Sequence, residues 1–211
     1  MSPPVVVLKG SDPVLLVDAV GSLVDELVGD GDRTELVDEL VGDDYELGSV
    51  VMAASSVSMF GDRIVVARNA GRFGADDIVP LVGYLEDPNP TSTVVVVWEK
   101  PLSATAKPFP KKLGDAVKAA GGEVRDTDPP GQSKQRSAWL DARLGEANVA
   151  FTAAARRRIA EQVGEDVSRV GGLVAVLDGS FPAGTKLDVD DVEPFLGESG
   201  SVPPWDLTDA I

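Results

Sequence analysis

The sequence contains neither cysteine nor histidine. The first absence rules out a disulfide framework, a thiolate metal site and a cysteine nucleophile. Adding the second removes Ser-His-Asp and Cys-His catalysis and the usual zinc ligand sets. Positive charge is also scarce. Lys and Arg number 19 against 35 Asp and Glu, a net charge of -16, which repels a phosphate backbone within a Debye length. Direct nucleic-acid binding is therefore not expected to be the main activity. The first fifty residues hold only Lys9 and Arg33 as cations, whereas Lys100, Lys107, Lys111, Lys112 and Lys118 gather later. A DNA-facing surface would fall in that later region, although a solvated helix face accounts for the same lysines. Long apolar runs are missing too. No stretch approaches the roughly 18 to 20 residues of a membrane helix. The opening MSPPVVVLKG has no basic flank leading into a long apolar region. A cytoplasmic protein with no membrane partner is the expectation.

What remains is a chain of 211 residues, 43% apolar and 26% charged. That is ordinary globular usage, with enough length for one large or two small folded units. Val5 to Leu8 is an aliphatic run that suits a strand buried on both faces. Ser11 or Asp12 can cap a following helix, Pro13 suits its first position, and Leu16, Val20, Leu23, Val24 and Leu27 recur at helical spacing. Further strands are predicted near 35–40, 64–67, 93–98 and 123–126, and helices near 46–56, 75–86 and 111–120. Strands alternating with helices predict an α/β domain built on a parallel sheet covered on both faces. The segment Asp126-Thr127-Asp128-Pro129-Pro130-Gly131 interrupts any regular element. It sets a boundary between a first domain, residues 1–130, and a small helical domain, residues 131–200. In the second, helices are predicted near 133–144, 152–163, 166–177 and 189–196, with no further strands. After Pro203-Pro204, the residues Trp205, Leu207, Ala210 and Ile211 look like the first turns of another amphipathic helix. Residues 201–211 are accordingly read as the start of a third domain that has been cut away or lost.

The octapeptide LVDELVGD occurs twice, from Leu23 and from Leu36. Two copies do not make a repeat architecture, and the first falls on a helix while the second falls mostly on a strand.

An ATPase of this layout should carry G-x-x-x-x-G-K-[ST] after its first nucleotide-binding strand, so that backbone amides and a lysine hold the phosphates. Here the turn reads Gly10-Ser11-Asp12-Pro13, without the second glycine, the lysine or the magnesium-binding hydroxyl at that spacing. An Asp12 carboxylate capping the helix would occupy the amides and repel an incoming phosphate. The apolar strand Val94-Val95-Val96-Val97 ends in Trp98-Glu99 and not in Asp-Glu, leaving at most one carboxylate, which is read as a surface residue. Gly184-Thr185-Lys186 has the letters of a phosphate loop in the wrong order. No ATP hydrolysis, no cofactor and no metal are expected.

Taken in order, VVVLKGSDPVLLVDAV (5–20), SMFGDRIVVAR (58–68), RRRIAEQVGEDVSRV (156–170) and DVEPFLGESGSVPPWDLTDAI (191–211) resemble the delta subunit of the bacterial DNA polymerase III clamp loader. The resemblance runs over essentially the whole chain. It implies an AAA+-like module, a helical lid and the beginning of a collar domain through which loader subunits associate. It also implies a protein that binds and opens the ring-shaped sliding clamp without using ATP. Such a subunit is no enzyme by itself but part of a DNA-directed DNA polymerase holoenzyme. The implied partners are the clamp and, through the missing collar, the gamma/tau and delta-prime subunits; contact with DNA would be weak or indirect. Without a collar the chain is expected to be a monomer.

The family's principal clamp contact is an apolar pair at a helix end, and the matching residues here are Met59 and Phe60. Without the family, two large apolar residues between a helix and a strand are more often part of a buried core. Ser55, Ser56 and Ser58 suit a solvated helix end, and methionine where the family often has leucine is a volume-conserving change. The basic run Arg156-Arg157-Arg158 could face DNA or an acidic partner, but on a helix it fans over roughly 200° and cannot serve one face. Two other readings stay open. One is a catalytically inactive AAA+-like adaptor or delta-prime-like subunit, although the family's Ser-Arg-Cys arginine finger is absent. The other is a phosphotransferase using a carboxylate pair.

Overall fold

The computed structural model describes residues 2–56, 61–100, 108–131, 133–163 and 167–196. The chain divides into two compact units, Met1–Asp128 and Pro129–Ile211.

The first unit is built on five strands, β1 (Val5–Gly10), β2 (Val37–Leu40), β3 (Arg63–Ala67), β4 (Ser92–Glu99) and β5 (Glu123–Asp126). They lie in the order β2-β3-β4-β1-β5, and every neighbouring pair is parallel. Helices α1 (Pro13–Val28), α2 (Arg33–Leu36), α3 (Leu47–Ser55), α4 (Val79–Tyr84) and α5 (Lys111–Ala119) connect them. The order decides which helix lies on which face. The chain runs one way along the sheet from β1 to β2 through α1, and the other way from β2 to β5 through α3, α4 and α5. Right-handed crossovers in opposite directions put their helices on opposite faces.

The alternation of side chains follows this division. Val6, Leu8, Ile64, Val66, Val95 and Val97 pack against Leu16, Val20, Leu23 and Val24 of α1. Val5, Val7, Val65, Ala67, Val94, Val96 and Trp98 face the other way, onto Leu47, Val50, Leu81, Leu113 and Val117. The expected α/β architecture with a parallel sheet covered on both faces is what the chain adopts.

Four local expectations are corrected. The strand predicted over 35–40 begins at Val37, because the Asp32 carboxylate accepts a hydrogen bond from the Thr34 backbone N–H at 2.8 Å and starts the short helix α2. The helix predicted over 75–86 shrinks to Val79–Tyr84. There Asp77 takes the Gly74 N–H at 2.7 Å, which turns the chain before Pro80 can enter the helix near its N-terminus. The third correction falls in the second unit, where strands were not expected: β6 (Ala150–Phe151) and β7 (Lys186–Leu187) form a two-stranded parallel ribbon.

Around that ribbon pack α6 (Ser133–Gly145), α7 (Ala153–Val163), α8 (Arg169–Ser180) and α9 (Val189–Leu196). Their core gathers Leu140, Leu144, Phe151, Ile159, Leu177 and Val192. Helix α8 lies three residues later than the predicted 166–177, and the Ser180 hydroxyl donates to the Val176 carbonyl at 2.7 Å in its last turn. Asp178 holds the 148–149 turn by accepting from both backbone N–H groups, each at 3.1 Å.

Candidate functional site

In an open parallel α/β sheet, ligands bind beyond the carboxyl ends of the strands, where neighbouring strands send their connections to opposite faces. In this sheet that place lies between β1, which leads into α1 on one face, and β4, which leads into α5 on the other. The residues there are Ser11 and Asp12 after β1, Glu99 and Lys100 at the end of β4, and Asp126, Thr127 and Asp128 at the end of β5.

The site is filled from within the chain. Asp12 caps α1 as the sequence predicts: its carboxylate accepts from the Val14 N–H at 2.9 Å and the Leu15 N–H at 3.2 Å. No sequence pattern points to the second carboxylate. Asp128, 117 positions away, accepts from the Ser11 backbone N–H at 2.5 Å and its hydroxyl at 3.1 Å. The amides that would hold a phosphate at a helix N-terminus are therefore already paired with carboxylates. The space is closed as well, since a Cβ at Gly10 would sit 2.1 Å from the Thr127 hydroxyl oxygen and 3.0 Å from an Asp128 oxygen.

Two lysines neutralise this carboxylate cluster. Lys100 lies 2.8 Å from Asp128 and 3.1 Å from Asp126, and Lys9 lies 3.1 Å from Asp126. Burial pushes the Asp126 and Asp128 carboxyls up, but hydrogen bonds from Lys9 and Lys100 to the first, and from Lys100 and Ser11 to the second, outweigh it and hold both below 3.8. Burial likewise pushes Lys100 down, and its bonds to Asp128 and Asp126 more than reverse this, so its net shift is upward from 10.5.

The sign of the pH dependence follows. The carboxylates contribute stability that is complete above their unfolded value near 3.8 and is lost as pH falls through the lower folded values. The lysine part is complete below 10.5 and is lost only as pH rises through the raised folded value. Because the pairs are partly solvated, each is worth less than about 1 kcal/mol. In urea titrations, Asp126→Asn/Asp128→Asn is expected to be less stable than wild type at neutral pH, with the difference vanishing as pH drops below about 4. A gap that persists undiminished as pH falls well below 3.8 would show that the contribution is not ionic.

The remaining carboxylate of an ATP-type site is also committed. Glu99 accepts from the backbone N–H of Asn69 at 3.0 Å and of Gly71 at 3.5 Å, tying β4 to the 3-10 turn Ala70–Arg72. It is a structural brace and not the simple surface residue expected from the sequence. Gly71 is confined by the same strand end, where an added Cβ would lie 2.0 Å from the Glu99 carbonyl oxygen. The hollow of about 570 Å³ elsewhere in this unit is lined by Asp43, Asp44, Asp76 and Asp77 around Arg72, which disfavours a phosphate ligand there.

Met59 and Phe60 lie outside the described residues. The positions flanking them are solvated: Ser55 and Ser56 before, Gly61 and Asp62 after, are all exposed. Gly61 has φ 127°, a conformation that favours glycine. Of the basic run on α7, Arg158 makes a bidentate pair with Glu193 at 2.8 and 2.7 Å, and Arg156 bonds the Asp141 carbonyl at 3.1 Å. Among the described residues no group of acidic side chains is arranged to hold a metal ion, and no helix is long and apolar enough to cross a membrane.

No family model matches the sequence, and no curated protein does so either. Among solved structures, the Bacillus subtilis DNA clamp loader delta protein (YqeN) is similar to this chain, with a TM-score of 0.66 and 18% sequence identity. The likeness covers 90% of this chain and 57% of that one, so the chain spans little more than half of that protein's length. At this identity the likeness speaks to architecture, and what it establishes is that the chain has a clamp-loader-like fold, an AAA+-like parallel-sheet module followed by a small helical unit.

Proposed function

We propose that the chain is a clamp-loader delta subunit which binds the polymerase sliding clamp and favours its open form during replication, without itself binding ATP. The observation that carries this is the crevice between β1 and β4. It holds the chain's own Asp128 and Asp12 carboxylates where related modules hold phosphates, which leaves protein recognition as the use of the module. A clamp-loader fold supports the choice of partner. Solvated residues on both sides of Met59 and Phe60 support these two as the apolar anchor that enters a pocket on the clamp.

The mechanism is differential binding. An anchor that fits a relaxed ring better than a closed one shifts the population toward the open ring, and no covalent step is required. Such a subunit acts within the polymerase holoenzyme and has no catalytic activity alone. Association with gamma/tau and delta-prime subunits belongs to a collar domain that follows in the family. Calorimetric titration of the purified chain with a bacterial sliding clamp, and separately with MgATP, tests the proposal: heat of binding is expected from the clamp alone.

A further inference from the structure

The three arginines of α7 have different surroundings. Arg158 turns to Glu193 in the bidentate pair described above. Arg156 crosses to α6, where it donates to the Asp141 carbonyl at 3.1 Å and stands 3.7 Å from the Asp141 carboxylate. Arg157 is exposed and has no hydrogen bond or ion pair among the described residues.

Arg156 and Arg157 share a helix face with Ala153 and Ala160, because positions i, i+3, i+4 and i+7 lie along one side of a helix. Ser137 and Asp141, four residues apart on α6, join them in lining a hollow of about 420 Å³. Lys134 stands one turn before Ser137 on the same side of α6, exposed and likewise without a partner among the described residues.

The charge here runs against that of the chain. Residues 133–163 hold six Lys or Arg against three Asp or Glu, while the whole chain holds 19 against 35. Arg156 and Asp141 neutralise one another, which leaves the Arg157 guanidinium and the Lys134 ammonium as the unmatched charges. Short side chains at Ser137, Ala153 and Ala160 let another backbone come close between them. A hollow of this kind, framed by two helices and flanked by two free cations, suits a helix laid along it with a carboxylate for each cation. The guanidinium can take its carboxylate through two parallel bonds.

We propose that the α6–α7 groove is a docking surface for an acidic amphipathic helix of a partner protein. A nucleic acid fits it less well. Affinity for a phosphate backbone is built from many ionic contacts, and here two unpaired cations stand on a chain whose net charge of -16 repels the backbone beyond them. The groove lies within the second unit and uses neither Met59 nor Phe60, so it stands or falls apart from the clamp contact.

The test titrates the full chain with a fluorescein-labelled peptide of Leu, Ala and Glu, about 15 residues long and patterned as an amphipathic helix, and follows its anisotropy. Saturable binding is expected, and the same peptide with Gln for every Glu should not bind. Arg157→Glu and, separately, Lys134→Glu are each expected to weaken binding at least about tenfold. Both side chains are exposed, so the circular dichroism of the variants should match wild type. Lys118→Glu makes the same change in net charge at an exposed position on α5 and should leave affinity within about twofold of wild type. Equal losses in all three variants would reveal a general charge effect and overturn the site, as would a Glu peptide that does not bind. An oligonucleotide that displaces the peptide and loses its own binding in Arg157→Glu would assign the groove to nucleic acid instead. A dimer of the free chain in sedimentation, dissociated by Arg157→Glu, would assign it to a second copy.

Discussion

Replacing Phe60 with serine is expected to lower affinity for the sliding clamp at least about tenfold, with the thermal midpoint of the chain within about 2 °C of wild type. An aromatic side chain seated in a partner's pocket commonly contributes about 2 kcal/mol or more, and serine can neither fill the pocket nor shed its hydration at equal cost. The two readouts separate the alternatives left by the sequence. If Phe60 belongs to a buried helix–strand junction, the substitution opens a cavity and the midpoint falls sharply. If it is the anchor, binding suffers and stability does not. A variant that binds like wild type removes Phe60 from the interface altogether.

The largest effect on stability is expected at Trp98. It is 1% exposed on β4 and meets Phe109 edge-on, with ring centroids 5.2 Å apart and planes at 89°. Trp98→Ala should cost about 3 to 5 kcal/mol in urea unfolding followed by circular dichroism, because a large void opens where sheet and α5 meet. Val17→Ala, at a position 56% exposed on α1, should change stability by less than about 0.5 kcal/mol. A Trp98 variant as stable as the Val17 one would mean that this layer is not packed as described.

Elements whose signals are local could be read directly. The aliphatic runs at Val5 and at Val94 are long enough to mark strands buried on both faces, and Asp12-Pro13 marks a helix start without knowledge of the fold. The repeated octapeptide shows where local signals stop. LVDELVGD closes α1 from Leu23, yet from Leu36 its Val37 to Leu40 form the edge strand β2 against β3. The sequence supports both, and tertiary context decides. The first copy lies over an apolar sheet face, while the second is claimed by backbone bonds to its neighbour strand.

The site was half legible for the same reason. A carboxylate capping its own helix is a local event, so Asp12 could be predicted. Asp128 reaches Ser11 across 117 positions, and nothing near either residue announces the other. Glu99 was misjudged because the amides it accepts from, at Asn69 and Gly71, come from a turn that no pattern at β4 reveals. The parallel ribbon β6–β7 was missed because two-residue strands carry no measurable alternation.

On the function proposed above, the module recognises a protein ring because its nucleotide crevice is occupied by its own aspartates. Titration of the purified chain with MgATP tests it most directly. No saturable binding is expected up to millimolar nucleotide under conditions where the same sample binds the sliding clamp. Tight, magnesium-dependent ATP binding would contradict it, because Asp128 and Asp12 would have to leave the amides they hold.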